Sequence, residues 1–234
     1  MFVVKIANIP IGIKNKNDSV EKFYEEYFTD EEPLFVVEAS ADDEEYNKRK
    51  YNIDPSEPYG ENMSIFRAIS ERLAEYDAFL LHSSVIKKEN RIYAISAESG
   101  VGKTTHTRLW VSEFGDEVKI INGDKPIVRL IDGKPFIFGT PWRGKEGYGE
   151  NDFGELSGIA FIERALENRA YDIALADADV RFIKQVYLPE KNPKNLILTL
   201  KLVNKVLRLI KLIRLECNMK GEAAHVCLRA FEGK

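Results

Sequence analysis

Cysteine, methionine and tryptophan are scarce in this chain, at two, three and two among 234 residues. The two thiols, Cys217 and Cys227, form no Cys-x-x-Cys pair and have no neighbouring pair of histidines. That excludes a disulfide scaffold and a structural zinc cluster, and leaves two buried thiols as the expectation. Long hydrophobic runs are missing too. The greasiest later stretch, Leu207 to Leu215, is broken by Arg208, Lys211 and Arg214, which excludes a membrane-spanning helix there. Neither sign of charge dominates: Lys plus Arg total 34 against 38 for Asp plus Glu, a net charge of -4. A global electrostatic pull toward nucleic acid or an anionic membrane is therefore absent. The first residues carry no basic stretch ahead of an apolar run and a small-residue cleavage site, so a soluble, cytoplasmic protein is expected. Its expected partner is a diffusible ligand or a protein, with no nucleic acid and no membrane.

The length suits one domain with elaborations. Phe2 to Lys14 is rich in Val and Ile and reads as one or two strands. A short helical stretch follows from Val20, capped near Asn17, and Pro33 to Ala39 is a strand. Ser40 to Asn52 holds seven charged residues and few apolar ones, which predicts a solvated helix or loop. Met63 to Tyr76 carries an apolar stripe at helical spacing, core packing rather than a cofactor box. Ala78 to Ile86 and Arg91 to Ser96 are two strands of a hairpin. Strands are expected again at 117–122, 127–131, 135–138, 156–162 and 212–216, and helices at 176–187, 193–209 and 222–231. Between residues 139 and 154 lie five glycines, too many for a regular element.

The chemistry concentrates in Ala97-Glu98-Ser99-Gly100-Val101-Gly102-Lys103-Thr104-Thr105. Following a strand and opening a helix, it matches a phosphate-binding loop in all but its first glycine, replaced by Ala97. Such a loop turns backbone N–H groups toward phosphate at a helix start, so glycines are expected at the crowded end, Gly100 and Gly102. Ser99 to Thr105 would bind the nucleotide phosphates, with Lys103 reaching the β and γ phosphates and the Thr104 hydroxyl on Mg2+.

The flanking strands come as hairpins, unlike the parallel crossovers usual around such a loop. Together with Leu81-His82-Ser83-Ser84, the loop and its helix through Trp110, Asn122-Gly123-Asp124-Lys125-Pro126 and Gly139-Thr140-Pro141-Trp142, they carry a resemblance. Over residues 78 to 232 the chain resembles the catalytic domain of HPr kinase/phosphorylase and, more distantly, phosphoenolpyruvate carboxykinase. A small residue at 97 is ordinary in that superfamily. The resemblance implies an α/β fold, a mixed-sheet P-loop kinase core with C-terminal helices (78–234) behind a small α+β N-terminal part (1–77). It further implies phosphoryl transfer from a nucleotide to a hydroxyl with Mg2+.

Phosphoryl transfer calls for charge neutralisers, metal ligands and an acceptor for the hydroxyl proton. Asp124, just past a strand, is the expected Mg2+ carboxylate together with Thr104, and by resemblance it matches the carboxylate of the metal-binding strand. HPr kinases have two adjacent aspartates here, whereas this chain has Gly123-Asp124, which leaves the general base open between Asp124 and His82. His82 matches the histidine that precedes the loop in HPr kinases, although a lone strand histidine is more often structural. His106 and His225 are expected to be structural. Residues 139–151 read as a lid carrying Arg143, a candidate for stabilising transferred charge, with Trp142 and Lys145; Lys125 is a further candidate to face the phosphates. The glycine-rich signature after the metal strand and the C-terminal carrier-contacting segment of HPr kinases are absent, so HPr as substrate, phosphorolysis and a hexamer are not carried over. The expected activity is an ATP- and Mg2+-dependent kinase acting on a small molecule such as serine or a polyol, or on a serine of a peptide. The alternative is a nucleotide-binding sensor without transfer; a carboxykinase is disfavoured because no second-metal cluster is evident.

Overall fold

The Val- and Ile-rich opening folds as a hairpin, because Ala7 and Asn8 take φ of 52° and 58° and so form the left-handed turn that suits strand twist. Its strands, β1 (Phe2–Ile6) and β2 (Ile9–Lys14), are antiparallel, and β3 (Phe35–Glu38) adds parallel to β2. The computed structural model describes residues 1–98 and 100–233. It divides into two compact units, Met1–Tyr76 with Leu188–Leu198, and Asp77–Tyr187 with Thr199–Lys234.

In the first unit, Ser40 caps α1 (Ala41–Tyr51), its hydroxyl accepting from the Asp43 N–H at 3.2 Å, and Asn52 ends the helix at φ 53°. This charged stretch is not a solvated face throughout. Asp43 is 1 % exposed and pairs with Arg67 Nε at 3.1 Å and Lys191 Nζ at 2.7 Å. Burial alone would raise the Asp43 pKa, but Lys191, Ser40 and Arg67 donate to it and hold it below the ordinary value. Arg67 lies on α2 (Pro58–Ser70), which starts earlier than the apolar stripe suggests because Pro58 suits the first helical turn. Residues 188–198 join this unit through Glu71, whose carboxylate accepts the N–H groups of Glu190 and Lys191, both at 3.0 Å. No apolar pattern betrays that segment's attachment.

The second unit is a mixed α/β fold around one large sheet. Its strands are β4 (Ala78–Leu80), β5 (Ser83–Lys88), β6 (Arg91–Ser96), β7 (Val118–Asn122), β8 (Ile127–Ile131), β9 (Lys134–Phe138), β10 (Phe153–Arg164), β11 (Arg169–Asp172) and β12 (Lys211–Cys217). They run in the order β4-β8-β9-β10-β6-β5-β7, with β12 also on β10 and β11 on β12. The long β10 changes partners along its length: it is antiparallel to β9 at 153–155, then parallel to β6 and β12. So β6, which feeds the loop, has the expected antiparallel hairpin partner β5 on one side and a parallel strand on the other. The single strand expected over 78–86 is broken at Leu81-His82. There the chain leaves β8 for β7, and the break is closed by an antiparallel bridge from Leu81 to Val186.

The helices of this unit include α3 (Lys103–Phe114), α4 (Leu175–Ile183), the C-terminal part of α5 (Pro193–Leu207) and α6 (Glu222–Glu232). Trp110 of α3 and Cys227 and Phe231 of α6 share a core with Tyr93, Ile95, Ile162 and Leu215 of the sheet, and Phe231 stacks on Tyr93 at 4.4 Å. Phe182 of α4 packs edge-on to Phe79 and Phe161. Cys217 and Cys227 are both buried and free. Among the described residues no helix is long and apolar enough to cross a membrane.

Helix α6 lies so close to β10 that a Cβ on Gly158 would meet Phe231 Cε1 at 2.7 Å and the Lys211 carbonyl at 2.9 Å. Gly158→Ala is therefore expected to destabilise the protein by about 1–3 kcal/mol, as overpacked cores do. Urea unfolding checks this, and an unchanged midpoint would contradict the packing of α6 on β10.

Candidate functional site

The loop after β6 opens α3 without a side-chain cap and without an acidic residue in the first turn, so its first N–H groups are not answered from within the helix. Gly100 and Gly102 take φ of 79° and 133°, yet a Cβ on either would meet nothing within 4 Å. Backbone conformation, not crowding, requires glycine there. Ser99 lies outside the described residues. Lys103 is 9 % exposed and its Nζ donates to the Ala97 carbonyl at 2.9 Å, closing the loop with a chord. Burial pushes its pKa below the ordinary lysine value, while Asp124 acts to raise it and Lys125 to lower it. Thr104 is partly buried and Thr105 exposed.

Asp124 follows β7 in a turn held by Asn122, whose side-chain oxygen accepts the N–H groups of Asp124 and Lys125, each at 2.8 Å. Its carboxylate meets His82 Nε2 at 3.0 Å through Oδ1 and Lys125 Nζ at 2.8 Å through Oδ2. Burial would raise the Asp124 pKa, but the His82 hydrogen bond and the Lys125 charge outweigh it and hold the group at about 2. His82 sits at the break between β4 and β5, where its N–H donates to the Gln185 carbonyl at 2.7 Å and Ser83 N donates to Asp124 O at 3.1 Å. Its Nδ1 lies 3.1 Å from Gln185 Oε1, so both ring nitrogens are engaged.

The glycine-rich segment is laced down rather than poised as a free lid. Asn122 bridges Gly149, Glu150 N donates to Ile121 O at 3.1 Å, and Glu146 pairs with Arg108 of α3 at 2.5 Å. A Cβ on Gly123 would lie 2.7 Å from the Arg143 carbonyl, and one on Gly144 2.9 Å from Asp124 Cβ. Position 123 is glycine because this segment lies on it, which leaves no room for a second carboxylate. Trp142 is buried, its N–H donating to Thr140 Oγ1 at 3.3 Å, whereas Lys145 is exposed. Arg143 is partly buried, with its carbonyl over Gly123.

Of the sequence-selected residues, His82, Asp124 and Lys125 thus form one cluster, within electrostatic reach of Lys103. His106 is buried on α3, accepts from Trp110 Nε1 at 3.1 Å and is pushed down to about 4 by burial, while His225 meets Glu113 at 3.0 Å; both are hydrogen-bonded away from the cluster. Sequence reasoning quotes Asn122 only as part of a motif and gives no role to it, Gln185 or Arg164. Only Asn122, a turn-forming residue at a strand end, carries a local signal. Among the described residues no group of three or more His, Cys, Asp or Glu gathers to hold a metal. A magnesium ion held by one ionised carboxylate, one hydroxyl and ligand phosphates needs no such group, and Asp124 and Thr104 fit that donor set.

No family model and no curated protein matches the chain. Among solved structures it is similar to the HPr(Ser) kinase/phosphatase from Coxiella burnetii, at 8% identity and a TM-score of 0.34, over 66% of this chain and 97% of that one. That likeness is distant, and the functional reading rests on the side chains of the site.

Because Asp124 is held at about 2 against an ordinary 3.8, its contribution to stability is complete above the ordinary value and is lost as pH falls toward 2. Asp124→Asn should therefore be less stable than the parent near neutrality by about 2 kcal/mol, with the two converging as the medium is acidified. Urea unfolding at neutral and acid pH checks this. A constant gap across that range would mean that the carboxylate is not held ionised by its neighbours.

Proposed function

We propose that the second unit is a phosphotransferase that uses ATP and Mg2+ to phosphorylate a hydroxyl group. The observation that carries this reading is the buried Lys103 ammonium at the start of α3, sharing its field with an Asp124 carboxylate held ionised by His82 and Lys125. A cation at a helix N-terminus suits a phosphate chain, and a fixed carboxylate beside it suits the acceptor.

In this scheme the N–H groups of Gly102 to Thr105 and the Lys103 ammonium bind the donor phosphates. Thr104 and Asp124 would hold Mg2+, which when bound neutralises charge on the transferring phosphoryl group. Asp124 orients the acceptor hydroxyl and takes its proton as the new P–O bond forms and the bond to ADP breaks. His82, with both ring nitrogens engaged, acts by holding Asp124 in place. Lys125 and Arg143 offset negative charge at the transfer site, and the packed glycine segment keeps water from it. The acceptor is a small hydroxyl compound such as serine or a polyol, or a serine of a peptide. A nucleotide-binding sensor without transfer is the second reading, favoured by the engagement of both Asp124 oxygens by neighbouring side chains.

The test is ADP formation from ATP and Mg2+ across pooled hydroxyl metabolites, with serine-containing peptides as a separate arm. Asp124→Asn should lower turnover by about two orders of magnitude or more while nucleotide binding persists, and Lys103→Ala should remove productive binding. ATP binding with no product from any pool would favour the sensor. Near-normal turnover in Asp124→Asn would refute the role given to that carboxylate.

A further inference from the structure

We propose that Arg164 is a positioning residue that sets the direction of the loop's N–H groups, an inference that rests on the reading of residues 97–105 as a phosphate site. Arg164 is the last residue of β10, an exposed side chain far from the loop in sequence. Its guanidinium makes a two-pronged contact with consecutive loop carbonyls: Nε donates to Val101 O at 2.9 Å and Nη2 donates to Gly100 O.

The consequence follows from the planarity of the peptide bond. In a trans peptide the C=O and the N–H of one unit point in opposite directions. Pinning the Gly100 carbonyl toward Arg164 turns the Val101 N–H away, and that N–H indeed folds back to the Glu98 carbonyl at 3.2 Å. Pinning the Val101 carbonyl turns the Gly102 N–H away in the same manner, to the side opposite the guanidinium. Glycine at 100 and 102, with φ of 79° and 133°, lets the chain enter and leave these two units at no steric cost. The clamp therefore presents Gly102 N–H beside the unanswered first-turn donors of α3, a concave set of amides matched to phosphate oxygens.

A guanidinium fork and a lysine ammonium carry the same charge, but only the fork holds two carbonyls in a fixed geometry. That difference separates positioning from bulk electrostatics. Calorimetric titration of ATP and of inorganic tripolyphosphate into the full chain, with Mg2+, is to be run on the parent, Arg164→Ala and Arg164→Lys. Both variants are expected to fold with the parent's melting temperature, since the side chain is exposed, and to bind both ligands about ten- to a hundredfold more weakly. Free guanidinium should restore part of the loss in Arg164→Ala and none in Arg164→Lys. Parent-like affinity in Arg164→Lys would mean that charge alone matters and would overturn the clamp, as would parent-like affinity in Arg164→Ala. A parent protein that binds neither ligand would instead remove the phosphate site itself, and the clamp with it.

Discussion

Everything in the candidate site hangs on one buried carboxamide. Asn122 is fully buried at the end of β7, and its oxygen accepts from Asp124 and Lys125 while its nitrogen donates to the Thr140 carbonyl and hydroxyl at 3.2 and 3.1 Å. A carboxamide is suited to this because it offers acceptor and donor at once, and a buried one left half-satisfied would be costly. By fixing the turn it fixes where the Asp124 carboxylate stands, and by gripping Thr140 it fixes where the glycine-rich segment begins. Thr140 Oγ1 returns the contact by donating to the Lys125 carbonyl at 2.7 Å, so the turn and the segment are one hydrogen-bonded unit.

Glycine then lets the two pieces approach. A side chain at Gly123 would strike the Arg143 carbonyl, one at Gly139 would lie 2.0 Å from the Glu150 carbonyl, and one at Gly144 would press on Asp124 itself. Gly139, Gly144 and Gly149 look like flexibility in the sequence and mark close backbone approach in the fold, whereas Gly147 stands in open space. This also accounts for the lone carboxylate: the backbone above position 123 occupies the volume a second aspartate would need, so an acidic pair and this segment's placement exclude each other. A site with one carboxylate must keep it ionised and aimed, which is what His82 and Lys125 do.

Much of this was legible in the sequence, and the remainder was not for definite reasons. The β5–β6 hairpin, the loop and α3 are local, set by a turn-forming Lys-Lys-Glu-Asn, two glycines and a helix closed by Gly115, and local signals survive without tertiary information. The parallel pairing of β10 with β6 and β12 joins residues far apart in the chain, for which composition has no marker. The break at Leu81-His82 was hidden because its cause is a partner change in the sheet, while AFLLHSSVI reads as one continuous apolar run. Strand β11, partly exposed and bounded by charged residues, lacks the alternation that announces a strand. In the first unit, the attachment of residues 188–198 rests on Glu71 meeting two backbone N–H groups, an interaction that any carboxylate can make and none advertises. Asp43, one of seven charges in its stretch, became the buried one for the same kind of reason: Arg67 and Lys191 lie elsewhere in the chain.

A buried ammonium normally sits against a carboxylate, since desolvation otherwise drives it toward neutrality. Lys103 instead hydrogen-bonds a neutral carbonyl, and Asp124, the acid it feels, is already shared with Lys125 and His82. Two lysines against one ionised carboxylate leave the cluster one positive charge in excess, at the end of a helix whose dipole adds to it. On the proposed reading that excess is matched to an anion, because Lys125, which disfavours the Lys103 charge in the protein alone, becomes a favourable partner once negative oxygens lie between the two cations. Folding stability is thus held elsewhere, in the Trp110–Phe231 core and the long β10, and the site can keep its uncompensated charge without endangering the fold.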